Sequence, residues 1–305
     1  MIEEFLQVSP ARDTSLTIGV FDGVHLGHRS LIQRAMEEAS ARGLLSVVAT
    51  FRNHPRTVLS PGFKPQYLTS LEQRLELIKS LGVDLVIAVA FTPEMARLRA
   101  GEFVTLLRDH LRMRVLVAGP DFALGNKREG DISTLSRLGK ELGFEVACVG
   151  PIQLAGQAVS STAIREALAC GDVARAGRLL GRPFNLDGRV VVGERRGHLL
   201  GFPTANMDID QDRALPSNGV YATMAYVTEV AYPSVTNIGV RPTFGKLKHT
   251  KEVHILDFQS DLYGRQLSID LIDRLRGEAK FSGPEELKAQ INKDVAQARE
   301  VLAKA

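Results

Sequence analysis

Hydrophobic positions in the first 182 residues follow two alternating patterns, short apolar runs and longer stretches with apolar residues at helical spacing. The apolar runs, each expected to be a buried strand, lie around Ile18 and Val20 and at 44–51, 83–90, 115–118 and 144–149. Helices are expected at 29–43, 70–82, 93–111, 161–171 and 172–180. This β-α repetition predicts an α/β fold with a mostly parallel, doubly wound sheet, which binds ligands beyond the carboxyl ends of its strands.

After Pro183 the apolar runs become shorter, and glycine, proline, asparagine and aspartate separate them. Strands are expected at 186–193, 220–227, 234–238, 253–258 and 266–272. Such closely spaced strands predict a small antiparallel barrel or sandwich. A stripe formed by Leu287, Ile291, Val295 and Leu302 predicts a final helix that packs against it. The sequence therefore predicts two domains, residues 1–182 and 183–305.

Composition narrows the class of protein. The 305 residues are 44% hydrophobic, enough for two cores, and the net charge of +3 comes from scattered rather than clustered basic residues. This charge pattern fits phosphate ligands better than nucleic acid. No apolar run reaches the roughly 20 residues of a membrane span, and the first residues do not resemble a signal peptide. The two cysteines, Cys148 and Cys170, form neither a disulfide framework nor a metal-binding pattern. A cytoplasmic protein without membrane contact is expected.

The first chemical signal is Thr17-Ile-Gly-Val-Phe-Asp-Gly-Val-His-Leu-Gly-His28, a strand that leads through a glycine-rich loop into a helix. Glycines let the backbone turn or approach a ligand, and a helix N-terminus favours an anion. His25 and His28 at this junction predict hydrogen bonds to phosphate oxygens. Zinc binding is the alternative, but no cysteine or other evident ligand set lies nearby in the sequence.

A second signal is Val159-Ser-Ser-Thr-Ala-Ile-Arg165, with hydroxyls at a helix start and an arginine one turn later. Alone it would be an ordinary helix cap. Together with the histidine loop it offers more N–H, hydroxyl and guanidinium donors for phosphates. His54 and the segment 121–128 follow other predicted strands, so all these residues are expected at the same edge of the sheet.

The second half carries Gly193-Glu-Arg-Arg-Gly-His-Leu-Leu-Gly-Phe-Pro-Thr-Ala-Asn206. On an extended segment Thr204 and Asn206 point to the same side, where their oxygens would suit a phosphate-bound Mg²⁺. A polar turn is the alternative interpretation of this motif alone. Two further segments accompany it, Asn237-Ile-Gly-Val-Arg-Pro-Thr-Phe244 and Glu252-Val-His-Ile-Leu-Asp-Phe258, the latter with a carboxylate at a strand start.

The H-x-G-H and V-S-S-T-A-I-R motifs resemble those with which the nucleotidyltransferase superfamily binds ATP. The longer G-x-F-D-G-V-H-x-G-H and G-x-D-F-x-x-G-x-x-R-x-G segments resemble the adenylyltransferase module of the bacterial bifunctional riboflavin kinase/FAD synthetases. G-F-P-T-A-N, N-x-G-x-R-P-T and E-x-H-x-x-D-F are similar to the kinase module of the same family, in the same order. The resemblance spans nearly the whole chain. It implies a Rossmann-like nucleotidyltransferase domain followed by a riboflavin kinase barrel.

The resemblance also implies two reactions: riboflavin and ATP give FMN and ADP, then FMN and a second ATP give FAD and pyrophosphate. In the adenylyltransferase half, His25, His28 and Arg165 would neutralise charge at the reacting phosphates. Further ATP-binding residues would be Gly19, Phe21, Asp22, Gly23, Gly27, Asn126, Ser160, Ser161 and Thr162. Flavin-binding residues would be Phe51, His54, Pro55 and Asp121.

In the kinase half, the resemblance implies that Glu252 accepts the proton of the riboflavin 5′-hydroxyl. Thr204 and Asn206 would hold Mg²⁺. The phosphate loop would include Gly193, Gly197 and Gly201, and the flavin-binding residues would be Asn237, Arg241 and Arg276. The expected ligands are ATP, riboflavin and FMN, with no obligate protein partner.

Four positions depart from the family pattern: Asn53, Leu124, Ala158 and His198. We expect Asn53, Leu124 and Ala158 to leave the phosphate chemistry intact, although they could weaken FMN or ATP binding in the first module. His198 could alter the charge of the kinase phosphate loop near neutral pH. Other interpretations are one active module only, an adenylyltransferase for another cofactor precursor, a nucleic-acid-binding barrel, or a flavin sensor without catalysis. Formation of FMN from riboflavin, or ATP consumption, distinguishes them.

Overall fold

The computed structural model describes residues 3–193, 201–243 and 246–304, with the backbone alone at residues 3, 6, 241–243 and 246–249. The chain divides into two compact units, Met1–Ser161 and Thr162–Ala305. Among the helices of these described ranges, none is both long and apolar enough to cross a membrane.

The first unit is a five-stranded parallel sheet with helices packed against it, as predicted. Its strands are β1 (Thr14–Gly19), β2 (Leu45–Phe51), β3 (Leu85–Val89), β4 (Met113–Ala118) and β5 (Glu145–Cys148). Its helices are α1 (Glu3–Leu6), α2 (Leu26–Arg42), α3 (Pro55–Leu59), α4 (Leu71–Lys79), α5 (Pro93–Arg97), α6 (Ala100–Leu111) and α7 (Ile132–Leu142). A short hairpin, β6 (Gln153–Leu154) and β7 (Gln157–Ala158), ends it.

The strand order β3-β2-β1-β4-β5 places β1 at the centre, with parallel neighbours β2 and β4. The three central strands are largely buried on both faces because helices cover both sides of the sheet. In a sheet of this order the strand sequence reverses at β1, and the crevice beyond the carboxyl ends of β1 and β4 is the usual ligand position. The glycine-rich loop after β1 lies there.

Local chemistry explains where the helices begin and end. Helix α4 begins with a capping box in which Ser70 and Gln73 exchange side-chain hydrogen bonds with each other's backbone N–H. The helix predicted over 93–111 is two helices, because Leu98 has an extended backbone. The Leu98 carbonyl instead accepts a hydrogen bond from the N–H of Asn126, and Glu129 accepts one from the N–H of Ala100. Contacts with a distant loop thus interrupt a locally helical sequence.

The second unit begins at Thr162, the second residue of helix α8 (Ser161–Cys170). Helix α9 (Val173–Leu180) follows, and the chain continues as a closed antiparallel barrel. The strands are β8 (Phe184–Val191), β9 (Ala205–Asp208), β10 (Gly219–Val227), β11 (Val230–Thr243), β12 (Lys246–Ile255) and β13 (Gln266–Arg276). They follow the order β10-β11-β12-β9-β8-β13 around the barrel. Of the two predicted alternatives, the barrel is therefore confirmed. Strand β9 was not predicted, and β11 and β12 are longer than expected.

The terminal helix α10 (Pro284–Leu302) packs on the barrel as predicted. Its Ala298 is fully buried in a cluster with Val220 and Val235, and Val295 and Leu302 pack against that cluster. The other two residues of the predicted stripe, Leu287 and Ile291, line a cavity beside the barrel instead.

The boundary between compact units lies earlier than the predicted 182/183. Helices α8 and α9 pack with the barrel: the N–H of Ser217 donates to the Leu168 carbonyl, Arg274 donates to the Cys170 carbonyl, and α9 lies against β8 and β13. The change in sequence pattern at residue 183 marks where the strands start, whereas packing divides the chain after Ser161. The assignment of the two activities to 1–182 and 183–305 stays a prediction.

Candidate active sites

The loop between β1 and α2 has a strained backbone that is held from within the protein. Phe21 and Val24 have φ values of 49° and 41°, which are costly for residues with a side chain, and both are buried. Asp22 is 2% exposed, and its Oδ1 accepts hydrogen bonds from the N–H groups of Leu68 and Thr69, at 2.9 and 3.2 Å. The Asp22 side chain therefore anchors the predicted phosphate loop to the segment before α4.

His25 and His28 lie against each other at the start of α2. Their rings stack with centroids 3.6 Å apart, and the edge of the Phe21 ring meets His28 at 5.2 Å. The Nδ1 atom of His25 caps the helix by accepting from the N–H of His28. A Cβ at Gly27 would lie 3.2 Å from the His25 ring and 3.4 Å from the Val159 carbonyl, so glycine permits this close approach.

The electrostatics of His28 set its protonation state. Burial, with smaller contributions from the charges of His25 and Arg74, holds the pKa of His28 well below its usual value of 6.5. Its Nδ1 is buried and has no hydrogen-bond partner among the described residues. His28 is therefore a neutral imidazole near pH 7 with unused hydrogen-bonding capacity, as expected of a group that awaits a ligand.

The hydroxyl motif joins this loop through Ser161, whose Oγ donates to the Asp22 carbonyl at 3.0 Å. Ser160, just before the helix, is half-buried. Thr162 and Arg165 follow in the first turn and a half of α8; Thr162 is exposed and Arg165 half-buried. The structure thus brings Ser161 to the histidine loop, as the sequence predicts for an ATP-binding residue.

Arg74, on α4, is a residue of this site that sequence analysis missed. It is 1% exposed, and its Nη1 donates to the carbonyl oxygens of Val20 at 2.8 Å and Phe51 at 2.7 Å. Its guanidinium carbon lies 5.7 Å from the centre of the Tyr67 ring, whose hydroxyl accepts from the N–H of His54. One buried guanidinium therefore joins the loop after β1 to the loop after β2.

A cavity of about 590 Å³ opens beyond the carboxyl ends of β1 and β2. Three of the predicted flavin-binding residues, Phe51, His54 and Pro55, line it. Asn126, predicted to bind ATP phosphates, lines the same cavity. Asp121 does not line it; the backbone carbonyl of Asp121 accepts a hydrogen bond from Arg128. The mostly apolar wall with a few polar groups suits a flat aromatic ligand.

Three of the four residues that depart from the family pattern lie in the described parts of the chain. Leu124 lines this cavity and pairs with Gly130 in a β-bridge. Ala158 is exposed in β7. Asn53 forms two side-chain hydrogen bonds with the backbone of Phe91. His198 lies outside the described residues, as does Gly197 of the predicted phosphate loop, and only the backbone of Arg241 is described.

The second site is set by the register of three neighbouring barrel strands. Glu252 on β12 is paired with Asn206 on β9 and with Asn237 on β11, and directly opposed residues present their side chains on the same face. Thr204 precedes β9. A cavity of about 340 Å³ is lined by Thr204, Asn237, Glu252 and Arg276. Four predicted kinase residues are thus brought together from distant parts of the chain.

Gly193 and Gly201 of the predicted kinase loop favour glycine for two different reasons. A Cβ at Gly193 would overlap the side-chain amide of Asn206, so only glycine allows that amide to lie against the backbone here. Gly201 is exposed with a φ of 85°, a conformation that favours glycine. Both positions precede the segment that carries Thr204 and Asn206.

Two residues that sequence analysis did not assign hold this site in place. Asp294 of α10 is 3% exposed and binds the guanidinium of Arg276 at 2.8 Å. His254 places its Nδ1 2.8 Å from the Pro203 carbonyl, which fixes the chain just before Thr204. Asp294 interrupts the apolar stripe of α10 next to Val295, and that interruption was the available sequence signal.

Three comparisons with known proteins agree on both halves of the chain. The family model described as FAD synthetase matches residues 8–163, and the one described as riboflavin kinase matches residues 180–302. A protein of Escherichia coli K12 named bifunctional riboflavin kinase/FMN adenylyltransferase is 41% identical over 97% of this chain and 95% of its own. A protein of Pseudomonas fluorescens with the same name is 42% identical over 94% and 92%.

Among solved structures, a protein of Streptococcus pneumoniae titled a macrolide-efflux protein matches with a TM-score of 0.91 and 30% identity, over 97% of this chain and 96% of its own. The two chains therefore share the fold of both units.

The buried neutral state of His28 predicts acid sensitivity. As the pH falls through about 6.5, the unfolded chain takes up a proton on His28 and the folded chain does not, so the free energy of unfolding decreases. This one residue contributes at most about 1.4 kcal/mol per pH unit below that point. Denaturant titrations of the wild type and of His28→Gln between pH 7.5 and 5.5 measure it. The variant is expected to lose less stability; equal losses in both proteins would contradict the assignment.

Proposed function

The chain belongs to the bifunctional riboflavin kinase/FMN adenylyltransferase family, and from this premise we propose how its two sites divide the chemistry. Riboflavin and ATP give FMN and ADP, and FMN and a second ATP give FAD and pyrophosphate. The observation that carries the proposal is that each unit contains its own cluster of predicted site residues, around His25 and His28 in the first and around Glu252 in the second.

In the barrel, Glu252 accepts the proton of the riboflavin 5′-hydroxyl while that oxygen attacks the γ-phosphorus of ATP. The new oxygen–phosphorus bond forms as the bond from the γ-phosphorus to the bridging oxygen breaks, and ADP leaves. Asn237, Arg241 and Arg276 bind the flavin, and Asp294 fixes the orientation of Arg276. Gly193, Gly197 and Gly201 let the loop approach the phosphates. This reaction mainly requires positioning and charge neutralisation.

The donor set of the barrel site fits Mg²⁺. Thr204 and Asn206 offer a hydroxyl and an amide oxygen beside Glu252, and no cluster of three histidine, cysteine or acidic residues exists in the described ranges. Such a sparse set of protein oxygens suits Mg²⁺, which takes most of its ligands from water and substrate phosphates. The ion would neutralise charge on the transferred phosphate, and Thr204 and Asn206 would hold it.

In the first unit, an FMN phosphate oxygen attacks the α-phosphorus of ATP, and pyrophosphate leaves. The nucleophile is already an anion, so no general base is needed. His28 is neutral before ATP binds and donates a hydrogen bond to the phosphates; their negative charge would raise its pKa towards the usual value. His25, with the hydroxyl of Ser161, stabilises the charge on the departing pyrophosphate. The family resemblance would add Thr162 and Arg165 to these residues.

The remaining predicted residues take supporting roles in this site. The loop residues Gly19, Phe21, Gly23 and Gly27 shape the approach of the backbone to the triphosphate, and Asp22 anchors that loop. Ser160 adds a hydroxyl. Phe51, His54 and Pro55, joined by Asn126, form the flavin wall of the cavity. Asp121, outside that lining, would act only at its rim. A cytoplasmic location and independence from a protein partner remain predictions.

Substitution of one residue in each site tests this division. Purified protein is incubated with riboflavin, ATP and Mg²⁺, and FMN and FAD are separated by chromatography. Glu252→Gln is expected to lower FMN formation by about 10²- to 10⁴-fold while FAD still forms from supplied FMN, since a general base contributes that much. His28→Ala is expected to stop at FMN, with adenylyl transfer about 10²- to 10³-fold slower. Glu229→Gln, in an exposed turn, is the control.

Loss of both reactions in either variant would contradict the two-site division, whereas binding of flavin without ATP consumption by the wild type would favour a sensor. A wild type that makes FMN but no FAD would indicate that only the kinase is active. If it converts supplied FMN but not riboflavin, only the adenylyltransferase is active.

The metal assignment predicts that chelation of divalent ions abolishes FMN formation and that added Mg²⁺ restores it. Thr204→Ala removes one of the two proposed protein oxygens, so the Mg²⁺ concentration needed for half-maximal kinase rate is expected to rise several-fold. Rates at saturating Mg²⁺ would recover most of the loss. An unchanged Mg²⁺ dependence in this variant would show that Thr204 does not bind the ion.

A further inference from the structure

Two neighbouring chain segments form one wall of the cavity in the first unit. The end of β2 and the segment after it contribute Phe51, His54 and Pro55, and the segment after β3 contributes Phe91 and Met95. The rings of Phe51 and Phe91 meet edge to face, with centroids 5.4 Å apart. The contact between these two segments therefore fixes the positions of both rings in that wall.

Asn53 joins the two segments through its side-chain amide. Its Oδ1 accepts a hydrogen bond from the N–H of Phe91 at 2.8 Å, and its Nδ2 donates to the carbonyl of the same residue at 2.9 Å. The side chain thus pairs with both backbone groups of Phe91, in the way that a neighbouring strand would. Thr57 Oγ1 lies 3.4 Å from the same Nδ2, and this hydroxyl donates to the His54 carbonyl.

This contact requires an amide. A backbone N–H needs an acceptor and a backbone carbonyl needs a donor, and among side chains of this size only asparagine offers the two on separate atoms of one planar group. An aspartate of the same shape would keep the acceptor but would set a carboxylate oxygen against the Phe91 carbonyl. The amide and the carboxylate differ little in volume, so packing alone does not distinguish them.

We propose that Asn53 is a positioning residue for the flavin substrate of adenylyl transfer: by clamping Phe91 to the segment after β2 it fixes the aromatic wall, formed by Phe51 and Phe91, against which the isoalloxazine ring binds. This inference rests on the proposed function of the cavity as the FMN site. Asn53 itself need not touch FMN or the reacting phosphates. It acts through Phe51 and Phe91, so its effect falls on FMN binding and not on ATP binding.

The test compares Asn53→Asp, Asn53→Ala and the wild type in both reactions of the same chain. For adenylyl transfer, the KM for FMN is expected to rise on the order of tenfold in both variants, because hydrogen bonds that hold the cavity wall are lost. The increase is expected to be at least as large for Asn53→Asp as for Asn53→Ala. The KM for ATP and the rate of FMN formation from riboflavin are expected to stay at wild-type values.

Gln33→Glu is the matched control, since it makes the same amide-to-acid change at an exposed position of α2 in the same unit. It is expected to leave the KM for FMN unchanged. A wild-type KM for FMN in Asn53→Asp would overturn the proposal, as would a parallel increase in the KM for ATP. Loss of the kinase reaction in both variants would make Asn53 a folding determinant and would also overturn it. Absence of FAD synthesis by the wild type would instead refute the proposed function itself.

Discussion

The geometry of the first unit depends on one buried guanidinium. Arg74 is almost fully buried. Its charge is tolerated there because carbonyl oxygens at the ends of β1 and β2 accept hydrogen bonds from its guanidinium and because the Asp22 carboxylate lies nearby. Parallel strands leave their carboxyl ends without mutual hydrogen bonds where the loops diverge. Arg74 closes that gap, so the loop after β1 and the cavity wall at the end of β2 are held by the same side chain.

In the barrel, strand register rather than a buried charge holds the site residues together. In a closed sheet every strand has two neighbours, so pairing fixes which residues face each other. Glu252 is placed beside Asn206 and Asn237 by that pairing, although they lie more than a strand length apart in sequence. A slip of one residue would turn Glu252 to the opposite face. The salt bridge between Arg276 and Asp294 then fixes the wall contributed by α10.

The sequence was sufficient for features that depend on local patterns. Apolar runs predicted the parallel strands, and the two sets of motifs predicted residues that the structure brings together. It was insufficient where a distant partner decides the outcome. The break at Leu98 results from a hydrogen bond to Asn126, and nothing within α4 indicates that Arg74 turns towards two strand ends. Packing of α8 and α9 on the barrel is likewise invisible locally.

Asn53 is another residue whose role depends on a distant partner that the sequence pattern does not reveal. As a departure from a family pattern it suggested a weaker flavin site, yet its amide satisfies both backbone groups of Phe91. A pattern records which residue is usual at a position, but it does not record which partner a different residue finds. Short β9 was missed for a related reason, because only its pairing with β8 and β12 makes it a strand.

The central claim is that one chain transfers two different phosphorus groups at two separate sites, and isotopic labelling of ATP tests it most directly. Riboflavin is incubated with the wild type and with His28→Ala, using ATP labelled at the γ-phosphate or at the α-phosphate. Among the flavin products, the wild type is expected to place γ label in FMN and FAD and α label in FAD alone, while ADP also retains α label. His28→Ala is expected to keep the γ label in FMN and to lose the α label from FAD. Transfer of α label at the wild-type rate in that variant would contradict the account.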